Sequence, residues 1–400
     1  MTLTAARLTG NGPVERALTL SIAAASLAKG VLFGVSALFF TLVIGLSPGT
    51  VGAGLTIAGA GGMAAAFGAG HLADRVGARR VLVVSTILQG AALAAYCSAS
   101  SAPAFTLIAC AAVGAQGAQR TAQATLLALH FTGPDRLAVR ARLRVVTNVA
   151  VGLGSAAATG ALAVGTPAAY VTAMLTASAL VLASTIPLRG LPAPAEPGTR
   201  PSDPARPSRS PMRDLRYVGI AALYGVLTIQ FGVLTVGMPL WVTLHTRAPA
   251  TTVALLLVLN TVLVAVFQVP AARLVTDVRA AGRTVARSSI LLASACLLYA
   301  AAGPLTALAA VGVLVLALLA ASAAEVLSEA GAWSLAFELA DARNAGAYQG
   351  ISQTGFAAGT MLAPAVVTGT AIAHGTTGWL LLATMFLAAG AGTHRLATLR

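Results

Sequence analysis

Lysine is almost absent from this chain. Lys29 is the single lysine among 400 residues, and the other 24 of the 25 basic side chains are arginine. Charged residues make up only 9% of the sequence and hydrophobic residues 57%, whereas a soluble domain is about a quarter charged. This composition excludes an ordinary soluble domain and predicts a membrane protein.

Cysteine is equally scarce, and the three present do not form a pattern. Cys97, Cys110 and Cys296 are far apart and each lies in an apolar run, which excludes a disulfide framework or a cysteine metal site. A phosphate-binding loop needs Gly-Lys-Ser/Thr, but Lys29 is followed by Gly30. No catalytic triad pattern is present. We therefore expect neither an enzyme nor an ATP-driven pump, and no cofactor or metal.

Long apolar runs are what the chain does contain. Runs of about 20 residues are long enough to cross a bilayer as helices, and reading between charged or Pro/Gly-rich breaks gives about twelve of them. The predicted fold is an all-α polytopic membrane protein. The predicted spans are 17–44, 50–70, 80–98, 103–129, 144–164, 167–187, 216–244, 251–270, 286–302, 306–335, 346–370 and 376–394.

A proline-rich and arginine-rich segment divides these spans into two sets of six. Residues 187–211 hold eight of the eighteen prolines, a composition that does not form a packed core. The sequence therefore predicts an N-terminal half (1–187), a cytoplasmic linker (188–215) and a C-terminal half (216–400).

The formal net charge of +14 could indicate a nucleic-acid partner, but topology explains it better. With a cytoplasmic N-terminus, 22 of the 24 arginines fall on the cytoplasmic side, as the positive-inside rule requires. The exceptions are Arg120 and Arg247, while Arg136, Arg140, Arg142 and Arg144 are assigned to a loop. We expect a monomeric, multi-pass protein of the cytoplasmic (inner) membrane, with both termini cytoplasmic, the lipid bilayer as its surroundings and no nucleic-acid partner.

One loop carries a specific motif. Between spans two and three the sequence reads GHLADRVGARRVL, which contains Gly70, Asp74, Arg75, Gly77 and Arg79. Its glycines permit a tight turn and close helix approach. The carboxylate of Asp74 can meet either an arginine of its own loop or the positive N-terminal end of span eleven, near residues 345–349.

This loop resembles the signature loop of the major facilitator superfamily, with Ala78 where a basic residue is usual. The resemblance implies two pseudo-symmetric halves of six helices, a central cavity lined by spans one, four and ten, and a gating role for the loop, which latches the halves on the cytoplasmic side. The alternative is that the loop only fixes topology.

Charged side chains inside the spans are the candidate site. Such groups are costly in a membrane and usually face a cavity and have a partner. Lys29 lies in span one; Gln116, Arg120 and Gln123 share a face of span four; Glu325 and Glu329 lie one turn apart in span ten. Two neighbouring carboxylates repel, which favours proton binding by one of them. We expect this cluster to couple proton movement to transport, with Lys29 as a partner for Glu325 or for a substrate anion.

Two alternatives remain open for these residues. Glu325 or Glu329 could instead be a solvated residue near the interface, and Lys29 and Arg120 could form purely structural pairs.

The resemblance extends to bacterial multidrug-efflux members that exchange a drug for protons. It implies proton-coupled efflux of a small organic compound, a drug or metabolite, by alternating access. The G-x-x-x-G-P pattern of those antiporters is missing from span five, where Gly152, Gly154 and Gly160 occur without a proline. A proton-coupled importer of a small metabolite is therefore the alternative.

Overall fold

A computed structural model describes residues 12–191 and 210–399. These residues are mostly helical and contain no strand. The twelve long helices, labelled in chain order, are α1 (Pro13–Leu38), α2 (Pro48–Val76), α3 (Ala78–Ala95), α4 (Ala102–His130), α5 (Gly133–Val164), α6 (Pro167–Ala183), α7 (Leu215–Thr228), α8 (Thr251–Arg273), α9 (Val278–Ala302), α10 (Ala307–Glu338), α11 (Ala345–Val367) and α12 (Ala373–Thr398).

Three of the helices continue through wider, π-helical turns. The turn Phe39–Val43 extends α1, and Thr368–Ile372 extends α11 into α12. The helical path of α7 passes through Val233–Gly237 and ends in the segment Met238–His245. Gly375 has φ 59° near the start of α12, where the helix is kinked. Only glycine adopts this backbone conformation readily.

Local sequence signals set several helix starts. The hydroxyls of Ser47, Ser101 and Thr166 accept backbone N–H groups in the first turns of α2, α4 and α6, and each of these helices has a proline in its first turn. A hydroxyl cap satisfies an N–H that has no partner inside the helix, and the proline contributes none.

Within the described ranges, ten helical segments are long and apolar enough to cross a membrane. The last of them, Ala342–Thr398, contains both α11 and α12. The helix α4 is not among the ten, although it is 29 residues long. It carries Gln116, Gln119, Arg120 and Gln123 near its middle, which lowers its hydropathy. The predicted all-helical layout is confirmed.

One predicted boundary is wrong. The helix α5 begins at Gly133, eleven residues before the expected start, so Arg136, Arg140, Arg142 and Arg144 lie on a helix and not in a loop. The helix has a proline in its first turn and Asp135 near its N-terminal end. Both features start helices, and arginine is a good helix former. Because the cluster of charged residues was interpreted as a break between spans, the predicted start of α5 was too late.

The contacts divide the chain into two compact units. The first unit comprises Met1–Thr132, Arg142–Ser208 and Asp341–Gln353, and the second comprises Gly133–Ala141, Arg209–Ala340 and Thr354–Arg400. Most of the expected linker, residues 192–209, lies outside the described residues. The division into two halves joined at 188–215 stays a prediction.

Each unit has its own aromatic core. In the first unit the ring of Phe40 lies 4.9 Å from both Tyr96 and Phe105, between centroids. In the second unit the indole N–H of Trp241 donates to the carbonyl of Tyr299 (2.6 Å), and the Tyr299 ring stacks on Trp379 at 5.1 Å. Such buried aromatic groups stabilise each unit.

Candidate functional site

The connection between α2 and α3 is a single glycine. Gly77 ends α2 and precedes Ala78, the first residue of α3, with φ 92° and ψ 134°. An L-residue rarely adopts this φ. The motif glycine at this position therefore makes the shortest possible turn between the two helices.

Asp74 lies one turn before this glycine and binds the start of α11. Its Oδ1 accepts the backbone N–H of Gly346 at 2.7 Å, and its Oδ2 accepts that of Ala347 at 2.8 Å. Both N–H groups belong to the first turn of a helix, where partners inside the helix are lacking and the dipole favours an anion. Of the two partners that the sequence allowed for Asp74, the structure shows the N-terminal end of α11.

Glycines make the backbones of α2 and α11 meet directly beside this contact. A Cβ added at Gly70 would overlap the carbonyl oxygen of Gly346 and lie 3.0 Å from the Cα of Gly350. A Cβ added at Gly350 would lie 3.2 Å from the Cα of Gly70. The helices cross with no side chain between them, as small residues allow in membrane proteins.

The motif arginines have different surroundings. The Nε of Arg79 donates to the carbonyl of Leu188 at 3.0 Å, and its Nη2 donates to that of Arg189. These carbonyls lie in the short helical turn after α6, so Arg79 ties α3 to the end of α6. Arg75 is exposed.

The loop between α8 and α9, where the sequence reads ARLVTDVRAAGR (272–283), is similar to the motif loop but is built differently. Asp277 caps its own helix, α9, because its Oδ1 accepts the backbone N–H of Ala280 at 2.7 Å. That hydrogen bond holds the pKa of the exposed Asp277 carboxyl below its ordinary value. The two loops therefore share an aspartate and differ in what it binds.

The interior of the first unit holds the predicted cations. Lys29 lies about 24 Å along α1 from Pro13 at the helical rise, and its side chain is half-buried. Its Nζ is 5.3 Å from the centre of the Phe33 ring. The Nη1 of Arg120 donates to Gln116 Oε1 at 3.3 Å, one turn away on α4. Gln123 is half-buried on the same helix.

Arg144 is a third cation in this region, and the sequence did not indicate it. It lies about 16 Å along α5 from Gly133 at the helical rise, inside a helix that the sequence predicted to begin there. Both Arg120 and Arg144 are close enough to interact electrostatically with Lys29. The proline in the first turn of α5 and Asp135 favour the start of a helix there, and this signal could have placed Arg144 inside a helix.

Backbone contacts position Lys29 against α5. A Cβ added at Gly30 would overlap Val151 and Ser155, and one added at Gly154 would overlap the carbonyl of Leu27. The hydroxyl of Ser155 donates to the carbonyl of Gly30 at 3.2 Å. Gly154, which no proline follows, therefore lies in the close contact between α5 and α1, the helix that carries Lys29.

In the second unit the two interior carboxylates have different surroundings. Glu329 is 2% exposed, and its Oε1 accepts the hydroxyl of Tyr224 at 2.6 Å. The alternative of a solvated Glu329 near the interface is therefore wrong. A short, buried hydrogen bond between a hydroxyl and a carboxyl group is among the stronger ones in proteins.

Glu325 lies in a polar cluster beside a small pocket. Its Oε2 accepts the amide of Asn260 at 3.3 Å, and the same amide donates to Ser322 at 3.0 Å. Gln230, Asn260, Tyr299 and Glu325 are the polar residues that line the pocket. Glu325 is 7% exposed, so it too is buried, with polar groups around it.

Basic residues at the start of α5 pack on the end of α10, also within the second unit. The guanidinium of Arg136 lies 5.2 Å from the Phe337 ring centre and that of Arg140 lies 5.1 Å from Trp333. Arg136 is also 3.9 Å from the carboxylate of Glu338. These cation–π contacts stabilise the packing of the first turns of α5 on the end of α10.

Across the described residues, no group of three or more His, Cys, Asp or Glu side chains is placed to hold a metal ion.

Comparison with known proteins gives one family and several similar structures. A family model described as Major Facilitator Superfamily matches residues 18–364. No curated protein sequence matches the chain.

Solved structures similar to this chain share its fold at low sequence identity. The human organic anion transporter MFSD10 has a TM-score of 0.71 and 17% identity, covering 95% of this chain and 99% of that one. A bacterial homologue of the iron transporter ferroportin, in an outward-facing state, has 0.73 and 15%, covering 96% and 98%. The transporter FucP, in its outward conformation, has 0.74 and 14%, covering 97% and 99%.

The sequence match spans most of the chain, and the helices follow the fold of solved transporters. The chain belongs to the major facilitator superfamily of membrane transporters.

Proposed function

We propose that this protein is a proton-coupled secondary transporter that works by alternating access and exports a small organic compound across the cytoplasmic membrane. The observation that carries the proposal is Glu325, a buried carboxylate in the middle of α10 that lines a polar pocket. A carboxylate in a membrane interior is costly and is retained where it serves a proton or substrate pathway.

The two carboxylates of α10, Glu325 and Glu329, have different roles in this proposal. Glu329 is held by Tyr224 at 2.6 Å, a contact suited to stabilising α7 against α10. Glu325 accepts a hydrogen bond of 3.3 Å from the amide of Asn260 and borders the polar pocket, which Glu329 does not line. We assign proton exchange to Glu325 and a supporting role to Glu329.

The contact of Asp74 with α11 supports the alternating-access part of the proposal. It joins the motif loop to a helix 272 positions later in the chain, through two backbone N–H groups that water can also satisfy. A contact of this kind can break and re-form during a cycle. We propose that Asp74 and Gly70 form a latch, that Gly77 makes its turn, and that Arg79 anchors the loop; the exposed Arg75 is available to an anionic surface.

Export is proposed as the direction because the first signature loop is well kept while the second is altered, a habit of drug:proton antiporters. Proton-coupled import is the second candidate. The similar structures include a protein described as an organic anion transporter and one described as a proton:xylose symporter, so this fold serves different substrates and couplings.

The deciding experiment uses Glu325→Gln, which keeps the shape of the side chain and removes its titration. Ligands found by thermal-shift screening of the purified protein are first tested for transport in proteoliposomes with a pH gradient in each direction. We expect gradient-driven transport by Glu325→Gln to be lost while exchange of ligand at equal pH persists. Glu329→Gln is the matched comparison and keeps gradient-driven transport. Normal gradient-driven uptake by Glu325→Gln would refute the coupling role.

A further inference from the structure

We propose that the outer face of α9 binds an anionic phospholipid through three arginines near the start of the helix: Arg279, Arg283 and Arg287, called here the arginine row. The residues that carry this inference all belong to the second unit. It goes beyond the proposed transport function and does not depend on it. The predicted topology places the start of α9 at the cytoplasmic surface of the membrane.

The arginine row lies along one side of a continuous helix. Its members recur every fourth residue within Val278–Ala302, and an interval of four advances about 40° around an α-helix and about 6 Å along it. All three side chains are exposed. The opposite side of α9, which includes Val285 and Leu292, is buried. The arginine row therefore lies on the face of α9 that the rest of the described chain leaves uncovered.

The same face of α9 becomes apolar further along the helix. Ile290 and Leu297 follow the arginine row in the same sector of the helix, and their side chains are 56% and 47% exposed. Exposed apolar side chains of this kind contact lipid in a membrane protein. A face with cations at one end and apolar side chains beyond them complements a phospholipid, which has a charged headgroup and acyl chains. A free phosphate ion would use the cations alone.

The members of the arginine row differ from other arginines of the chain, which are engaged by the protein. Arg142 pairs with Glu15, and Arg216 donates to the carbonyls of Leu396 (2.8 Å) and Ala397 (3.0 Å). Among the described residues, no carboxylate or carbonyl forms an ion pair or a side-chain hydrogen bond with the arginine row. Its guanidinium groups can therefore bind the oxygens of a phosphate, which match their fork of N–H donors.

The acidic residue at the start of α9 does not neutralise the arginine row. The Oδ1 of Asp277 accepts the backbone N–H of Ala280 at 2.7 Å, and its Oδ2 accepts the hydroxyl of Thr276 at 3.4 Å. One carboxylate beside three guanidinium groups leaves two positive charges in excess, and Arg273 at the end of α8 is exposed as well. Clusters of cations at a membrane surface attract anionic headgroups.

The two longer segments outside the described residues are a poor match for this charge. Residues 192–209 contain two acidic and three basic side chains, and residues 1–11 contain one arginine and no acidic side chain. Neither segment has a net negative charge. An anionic lipid therefore complements the arginine row better than these parts of the chain do.

Binding of individual lipids to the full chain tests the proposal. The purified protein is delipidated in detergent and titrated with dioleoyl phosphatidylglycerol or with dioleoyl phosphatidylcholine, which has the same acyl chains and no net charge. Bound lipids are counted by native mass spectrometry. We expect the anionic lipid to bind about tenfold more tightly, because three arginines attract its phosphate. Equal affinities for the two lipids would overturn the proposal.

Two triple variants locate the site on the protein surface. The first combines the changes in the arginine row: Arg279→Gln, Arg283→Gln and Arg287→Gln. The second removes three exposed arginines from other elements: Arg80→Gln, Arg213→Gln and Arg247→Gln. Both change the net charge equally. We expect the first to lose the preference for the anionic lipid, and the second to keep it within about threefold. Equal losses would show attraction by the overall charge and overturn the proposal.

A single variant keeps the test decisive if the first triple variant does not fold. Arg283→Gln changes one exposed side chain in the middle of the arginine row, so we expect an unchanged melting temperature and about threefold weaker binding of the anionic lipid. Arg283→Lys keeps the charge and should lose less than Arg283→Gln. Wild-type affinity in Arg283→Gln would overturn the proposal.

Inorganic phosphate separates a lipid site from a general anion site. It has the charge of the headgroup and lacks the acyl chains that would contact Ile290 and Leu297. We expect phosphate at the concentration of the lipid to leave the bound phosphatidylglycerol in place. Displacement of the lipid by an equal concentration of phosphate would overturn its assignment to this face.

Discussion

The carboxylate of Asp74 and the backbone N–H of Gly346 are joined by a hydrogen bond of 2.7 Å. The second carboxylate oxygen accepts the next N–H, that of Ala347. One side chain thus satisfies two of the N–H groups that α11 cannot satisfy within itself. The negative charge adds to the effect, since it meets the positive end of the helix.

Replacement of Asp74 by asparagine is the first prediction. Asparagine has one acceptor oxygen and no charge, so a charge-assisted contact of about 1.5–3 kcal/mol is weakened. We expect Asp74→Asn to slow transport turnover by about tenfold, with ligand affinity within about threefold of the wild-type value. Turnover is measured in proteoliposomes and affinity by equilibrium binding.

Asp277→Asn is the matched control for this variant. Asp277 caps its own helix at an exposed position, where asparagine is an equally good cap. We expect turnover and melting temperature to be unchanged. If Asp74→Asn also turned over at the normal rate, the latch would be refuted.

The second prediction concerns the contact between α1 and α5. A Cβ at Gly154 overlaps the carbonyl of Leu27, whereas a Cβ at Gly152 meets nothing within 4 Å. Gly154→Ala must push the two helices apart, at a cost of about 1–3 kcal/mol. We expect a lower melting temperature and weaker ligand binding, because the displaced segment carries Lys29.

Gly152→Ala makes the same chemical change on the same helix without the overlap, so its melting temperature should equal or slightly exceed that of the wild type. Equal melting temperatures for the two variants would show that the α1–α5 contact is not tight in the membrane.

The third prediction is a double-mutant cycle between Tyr224 and Glu329. Tyr224→Phe leaves a buried carboxylate without its donor, at a cost of about 1–3 kcal/mol. Glu329→Gln weakens the same contact from the other side. Because both changes remove one interaction, the double variant should be less destabilised than the sum of the single variants, by about 0.5–3 kcal/mol. Unfolding of the purified protein in detergent gives the three free-energy changes. Strict additivity would mean that the hydrogen bond contributes nothing to stability.

The sequence predicted the membrane helices well for a physical reason. A chain crossing a bilayer must satisfy its backbone groups within each segment, so long apolar runs have little choice but to be helical. The motif glycines were also informative, because Gly77 requires a positive φ and Gly70 a close backbone approach.

The partners of the site residues could not be predicted from the sequence. Tyr224 and Glu329 are 105 positions apart, and Asn260 and Glu325 are 65 apart, and only the packing of the helices brings them together. Arg144 was missed for another reason, since a cluster of arginines resembles a loop when hydropathy alone is considered. In the structure, Arg136 and Arg140 cover aromatic rings of α10 while the helix continues.

The crossing of α2 and α11 consists of backbone alone at Gly70, Gly346 and Gly350. A surface with no side chains has no rotamers to reorder and no interdigitated groups to withdraw. Separation of the two helices at this crossing therefore frees no side-chain rotamers, and their renewed contact does not need side chains to be ordered again. The glycines therefore let the two helices separate and meet again at this crossing without any change of side-chain rotamers, while the carboxylate of Asp74 adds two hydrogen bonds to the contact.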